Sequence, residues 1–331
     1  MINQAKHPGA VRRGVFLALK VLIVGGLLAW LGSTVAKQWA DVRATLVAFD
    51  PGCAAGAVAC HAVLMVMLAL LWRELMGALG HPLGVVASLR MQWLAALAKY
   101  VPGKVGTVLG KIYLGGVEGA DRKLVGLACT YEVLFCFIGS SLVLLGSVAF
   151  GSLRAVQALM VPALALVVVL LASVHPRVLV PAANWVLRRF GKEPIRNGLT
   201  HRQTLLFALG YALPYVLGGV SEYLLLRAFF RVPVEFAIDL AGINALATSI
   251  GFAALFAPAG LGVRDGLVAQ GLCLLRIPAA GAALVALAGR LMATGMDLLS
   301  GVVGLALYGR RPWRGAVRSE ETGKPARQAL H

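Results

Sequence analysis

Charge is scarce in this chain, and acid is scarcer than base. Asp and Glu number 14 against 31 Lys and Arg, and together they make up 14% of 331 residues. Hydrophobic residues make up 59%, with a mean hydropathy of +0.82. So little polar surface excludes a soluble domain of this length. Cysteine is sparse as well. Cys53, Cys60, Cys129, Cys136 and Cys273 all lie in apolar stretches, with no His or Cys at ligand spacing. No disulfide framework, metal site or cofactor is therefore expected. Also missing is any run of period-two alternation, the mark of a transmembrane β-barrel.

What is present is a series of continuous runs of Leu, Val and Ala. Those at 15–36, 52–71, 124–150, 155–174, 204–230 and 279–308 approach or exceed the roughly 20 residues that a helix needs to cross a bilayer. Two further segments, 86–117 and 237–276, are interrupted. The expected fold is an all-α polytopic membrane protein with about six full transmembrane helices. The first run follows a basic segment and is long for a signal peptide, so it reads as an uncleaved anchor.

The formal charge of +17 could suggest nucleic acid, but its distribution points to membrane orientation. With both termini in the cytoplasm, the inner segments hold Lys6, Arg12 and Arg13, the cations from Arg73 to Lys123, those from Arg177 to Arg202, and those from Arg310 onward. The outer segments hold only Lys37, Arg43, Arg154, Arg231, Arg264 and Arg276. This is the positive-inside bias of a bacterial inner-membrane protein, and no nucleic-acid partner is implied. The longest polar connection contains "PAANWVLRRFGK", which reads as a short helix on the anionic inner surface.

The interrupted segments carry the chemistry. In "KYVPGKVGTVLGK", Pro102 removes a backbone donor, while Gly103 and Gly106 permit turns closed to other residues. The arms, about 86–100 and 103–117, would each be about 22 Å long at 1.5 Å per residue, short of a roughly 30 Å hydrocarbon core. Backbone exposed in this way is tolerated only inside protein or against a wet cavity, so the segment reads as a re-entrant hairpin. "APAGLGVRDG" repeats the grammar with Pro258, Gly260, Gly262, Arg264 and Asp265. Each hairpin is preceded by two full spans and followed by one.

An inverted repeat follows from that order, because three full crossings make the second half begin on the opposite side. Its expected divisions are a basic N-terminus (1–14), a first repeat (15–150), a second repeat (151–308), and a basic, disordered cytoplasmic tail (309–331). Lys104 and Lys111 at the first tip, and Arg264 at the second, are candidate phosphate partners; Lys99 is a weaker one. The competing reading of the lysines is that they snorkel to the interface. That of Arg264 is a local salt bridge to Asp265.

Within the spans lie Glu132, Glu222, Arg290 and Asp297, each costly in hydrocarbon. Glu132 falls 30 residues after Pro102, and Arg290 falls 32 after Pro258, so they occupy nearly equivalent places. A Glu132–Arg290 pair across a pseudo-twofold axis is one expectation, and an Arg290–Asp297 stripe two turns long on a single helix is the other. Glu222 is expected to pair with Arg227 or to be solvated.

At these motifs the chain resembles the flippase-like transmembrane domain of lysylphosphatidylglycerol synthases and their stand-alone relatives, over about residues 15–308. "PAGLGVRDG" is the more specific match. The first motif is looser, with Thr107 where an acid is common, Lys111 where an arginine is common, and Val133 after Glu132. The family's aminoacyltransferase domain is not found in the chain, so lipid synthesis is not implied.

The resemblance implies a carrier, not an enzyme, for a lipid with an anionic head group, including polyprenyl-phosphate-linked lipids. Pro102, Gly103, Gly106, Pro258, Gly260 and Gly262 would shape its site. A lipid-modifying enzyme would need an acid/base set at one depth, and none is visible. A scaffold partnering envelope-synthesis enzymes is the remaining class.

Overall fold

The computed structural model describes residues 49–100, 106–152, 158, 160–195, 198–254 and 260–307. The first expected span, Pro102, Gly103, Lys104, Pro258 and the 309–331 tail lie outside the described residues. Among the described residues eleven α-helices follow in order: α1 (Pro51–Ala78), α2 (Val85–Leu97), α3 (Gly106–Val117), α4 (Arg122–Phe150), α5 (Met160–Val174), α6 (Pro176–Arg189), α7 (His201–Gly210), α8 (Leu213–Phe229), α9 (Phe236–Ala253), α10 (Val263–Leu274) and α11 (Ala279–Ala306). A 3-10 turn, Ala98–Tyr100, ends α2. There is no strand among the described residues, and the protein is an all-α, polytopic membrane protein.

Local chemistry sets the boundaries. Asp50 caps α1 by accepting from the N–H groups of Gly52 and Cys53, and Pro51 opens the helix, where its missing donor costs nothing. Asp121 caps α4 through Lys123 N–H, and Thr200 with Gln203 forms a capping box on α7. α1, α4, α7 with α8, α9, and α11 are each long and apolar enough to cross a membrane. Their outer surfaces stay apolar: Val63 and Leu70 on α1, and Leu298, Val302 and Leu305 on α11, are exposed.

α5 meets α6 at a 63° bend. None of α6 is buried, and Val178, Trp185 and Val186 are exposed beside Arg188 and Arg189. That amphipathic pattern suits a helix lying in the interface.

The two interrupted segments are helix pairs. α2 packs on α3, and α9 packs on α10. They are unequal, because α9 has 18 residues where α2 has 13. No breaker interrupts α9 before Ala254, so this arm alone is long enough to cross.

The helix packing is reciprocal. α1 lies on α8; α1 packs on α2 as α8 packs on α9, and α3 on α4 as α10 on α11. Crosswise, α4 packs on α9 and α11 on α2. Small residues allow these crossings, as expected where lipid removes the hydrophobic drive. Gly242 of α9 abuts Ser147 of α4, Gly301 of α11 abuts Leu97 of α2, and Gly219 of α8 abuts the Ala241 backbone of α9.

One core gathers Trp72, Tyr131, Phe135 and Tyr211, and a second gathers Leu226, Leu240, Leu272 and Val285. Because a Cβ on residue 219 would meet backbone that cannot rotate away, Gly219→Ala should destabilise the protein by about 1–3 kcal/mol. Gly146→Ala, with nothing within 4 Å, should be neutral or stabilising by up to about 1 kcal/mol. Thermal unfolding of both variants in one detergent checks the contrast.

Candidate functional site

Among the described residues two buried charge clusters stand out, each fed by four helices. In the first, Lys111 of α3 places Nζ 2.6 Å from Glu132 Oε2 on α4. The same Nζ stands 3.8 Å from the centre of the Trp72 ring on α1, a cation–π contact in a dry setting. Gln92 of α2 donates from Nε2 to Glu132 Oε1 at 3.2 Å.

Gly106, the first residue of α3, is where a Cβ would fall 2.6 Å from the Ala98 carbonyl oxygen, so glycine lets the start of α3 approach the end of α2. Lys111 is only 1% exposed, with its charge met by a carboxylate and a ring. These contacts tie α3 to α1 and α4. Lys99, the weaker candidate, forms a 2.6 Å ion pair with Asp297 of α11 and so bridges the halves.

The second cluster centres on Arg264 at the start of α10. Its Nη2 donates to Glu222 Oε1 on α8 at 2.6 Å and to Asn244 Oδ1 on α9 at 3.0 Å. Its Nε lies 3.4 Å from Thr248 Oγ1, one turn along α9 from Asn244. Asp265 Oδ1 is 3.8 Å from Arg264 Nη1, so the local salt bridge expected here is secondary to the one with Glu222.

Gly260 and Gly262 have φ of 66° and 78°, a region disfavoured for residues bearing a Cβ. A Cβ on Gly260 would also approach the Gly251 backbone to 3.0 Å. The Gly262 N–H donates to Asp265 Oδ2 at 3.1 Å, which fixes the first turn of α10 and aims Arg264 into the cluster. Arg264 keeps 17% of its side chain exposed, whereas Glu222 keeps 6% and Asp265 1%.

Two expectations about charge pairing are corrected. Glu132 does not pair with Arg290: its partners are Lys111 and Gln92, while Arg290 lies 4.0 Å from Asp265 Oδ1. Asp297, two turns along α11 from Arg290, pairs with Lys99. Glu222 is neither solvated nor paired with Arg227; it is 5% exposed and holds Arg264. Asn244, Thr248, Gln92 and Trp72 were not anticipated at all. The only available signal was polarity inside apolar runs, with Asn244 and Thr248 spaced i, i+4 on one helix face.

Each of the two buried charge networks joins a helix pair to the membrane-length helices packed around it. Residues 17–301 match the lysylphosphatidylglycerol synthase TM region, and the chain belongs to that family, a flippase-like group of membrane proteins. No curated protein matches the chain.

Proposed function

We propose that this protein is a flippase-like transporter that moves an anionic lipid, or a polyprenyl-phosphate-linked lipid, between leaflets by alternating access. The observation that carries the reading is Arg264. A guanidinium at membrane depth, held by side chains of two neighbouring helices yet still partly exposed, is a planar fork that can exchange a carboxylate for a phosphate. The phosphate sits against Arg264 and the glycine turn at Gly260 and Gly262, while the acyl chains stay in lipid.

The reciprocal packing of α1–α4 and α8–α11 supports an inverted repeat whose halves rock about the α1–α8 contact. The protein lies in a bacterial inner membrane with both termini cytoplasmic, which fits the positive-inside distribution. Lys99–Asp297, which links the halves, is a contact that such rocking would break and remake.

The test is reconstitution into vesicles carrying labelled phosphatidylglycerol in one leaflet. Wild-type protein should transfer the lipid without changing its mass, and Arg264→Gln should lower the initial rate at least about tenfold. A changed lipid mass would instead favour an enzyme, and no transfer by folded wild type would remove phosphatidylglycerol as cargo.

A further inference from the structure

An open surface pocket of about 680 Å³, with Asp50, Arg227 and Arg231 exposed, lies at the α8 C-terminus, and the transport site does not use it. Asp50, Arg227, Phe229, Phe230, Arg231 and Val232 line it. The Asp50 N–H donates to the Ala228 carbonyl at 2.8 Å, and the rings of Phe49 and Phe229 lie 5.1 Å apart, so the start of α1 is fastened to the end of α8. The Phe230 ring abuts Gly281 at the start of α11. These contacts fix the walls of the cavity.

Its charge is unbalanced. Among the described residues neither Arg227 nor Arg231 has a carboxylate within ion-pair distance. Among the described lining residues Asp50 is the acid, and both its oxygens are engaged. Oδ1 accepts from Gly52 and Cys53 N–H, and Oδ2 accepts from the Cys53 thiol. Those bonds, led by the Cys53 N–H, hold its carboxyl below the usual value, so it stays ionised at neutral pH. Among the described residues, two guanidiniums and one carboxylate leave the lining net positive.

A helix C-terminus favours a cation in its last turn, which would explain Arg227 alone. It does not explain Arg231, which lies beyond the helix. Orientation does not explain it either, because the proposed topology puts this end of α8 on the outer face, where cations are few.

We propose that this cavity binds a phosphate group, that of an anionic lipid head or inorganic phosphate, with Arg227 and Arg231 as its ligands. Arginine forks match phosphate oxygens, and Phe229, Phe230 and Val232 offer the apolar surface that a lipid has and inorganic phosphate lacks. Glu222, the partner of Arg264, lies five residues before Arg227, about 7.5 Å along the α8 axis. Resting on the transport reading, the cavity is a station between the Arg264 site and the outer leaflet.

Native mass spectrometry of the full chain tests this, with phosphatidylglycerol and phosphatidylcholine of identical acyl chains and inorganic phosphate as competitor. Wild type should retain phosphatidylglycerol in preference to phosphatidylcholine. Arg227→Gln/Arg231→Gln should weaken that retention about tenfold or more with an unchanged melting temperature. If the double variant melts early, each single variant is measured instead and should weaken retention alone.

Displacement of lipid by millimolar phosphate would assign the site to the free ion, and resistance would assign it to the lipid. Unchanged retention in folded variants overturns the proposal. If wild type moves no lipid between leaflets but its retention still depends on these arginines, the site stands and the transport reading falls. If Arg264→Gln abolishes transfer while the double variant retains lipid normally, the site alone falls.

Discussion

Lys111→Met should destabilise the protein by about 3–5 kcal/mol, among the largest effects of any single substitution here. The lysine is 1% exposed and its partner Glu132 keeps 13% of its side chain exposed, so methionine would leave a carboxylate in a dry site with only Gln92 donating to it. Glu132→Gln should be nearly as harmful, because it leaves the ammonium with the Trp72 ring but no counter-ion.

The double variant Lys111→Met/Glu132→Gln should recover much of the loss. The new side-chain amide can still accept from Gln92, and a methionine thioether packs well on an indole. Thermal unfolding of the three variants yields the coupling energy. Additive losses would show that the two side chains do not meet. A Glu132–Arg290 cycle, by contrast, should be additive within about 0.5 kcal/mol, since no contact joins that pair.

The contrast between those two cycles shows what the sequence could and could not convey. Composition alone gave the class, because runs such as 124–150 have no fate but a membrane. The breaks were legible too, since Pro and Gly punctuate 86–117 and 237–276 and each segment is a pair of helices. The equivalent placement of Glu132 and Arg290 could be read from spacing, but a pair could not. Similar spacing does not make two residues meet: Glu132 turns toward α2 and α3, and Arg290 toward α10.

The partners that matter are Lys111 with Glu132, 21 residues apart, and Arg264 with Glu222, 42 apart. Such contacts depend on the rotation of each helix about its own axis, which one sequence does not encode visibly when every face is apolar. Glu222 was misjudged for that reason. Its place near the end of a span suggested solvent, whereas α8 turns it inward against α10.

The second large effect is expected at Arg264 and Glu222, and it separates a cargo site from a strut. Arg264→Lys keeps the charge but loses the fork. An ammonium can reach Glu222 or the Asn244–Thr248 face, not both in the present planar arrangement. Lipid transfer should fall about tenfold or more, and melting temperature should fall less than in Arg264→Gln, which strands Glu222 as a buried unpaired carboxylate.

Glu222→Gln moves two quantities in opposite senses. Removing the carboxylate frees the guanidinium for phosphate, so lipid affinity should rise. Removing the group that displaces the phosphate from Arg264 should slow release, so turnover should drop. A strut predicts neither shift, only a loss of stability shared by Arg264→Lys and Glu222→Gln. Under that alternative, Asp265→Asn, which touches the Gly262 cap and the Arg290 side, should also do no more than destabilise. Vesicle transfer rates, lipid affinity and melting temperature for these variants decide between the two. Wild-type transfer in Arg264→Gln would exclude this residue from the site, and wild-type affinity and rate in Glu222→Gln would leave Arg264 without the exchange of partners on which the mechanism turns.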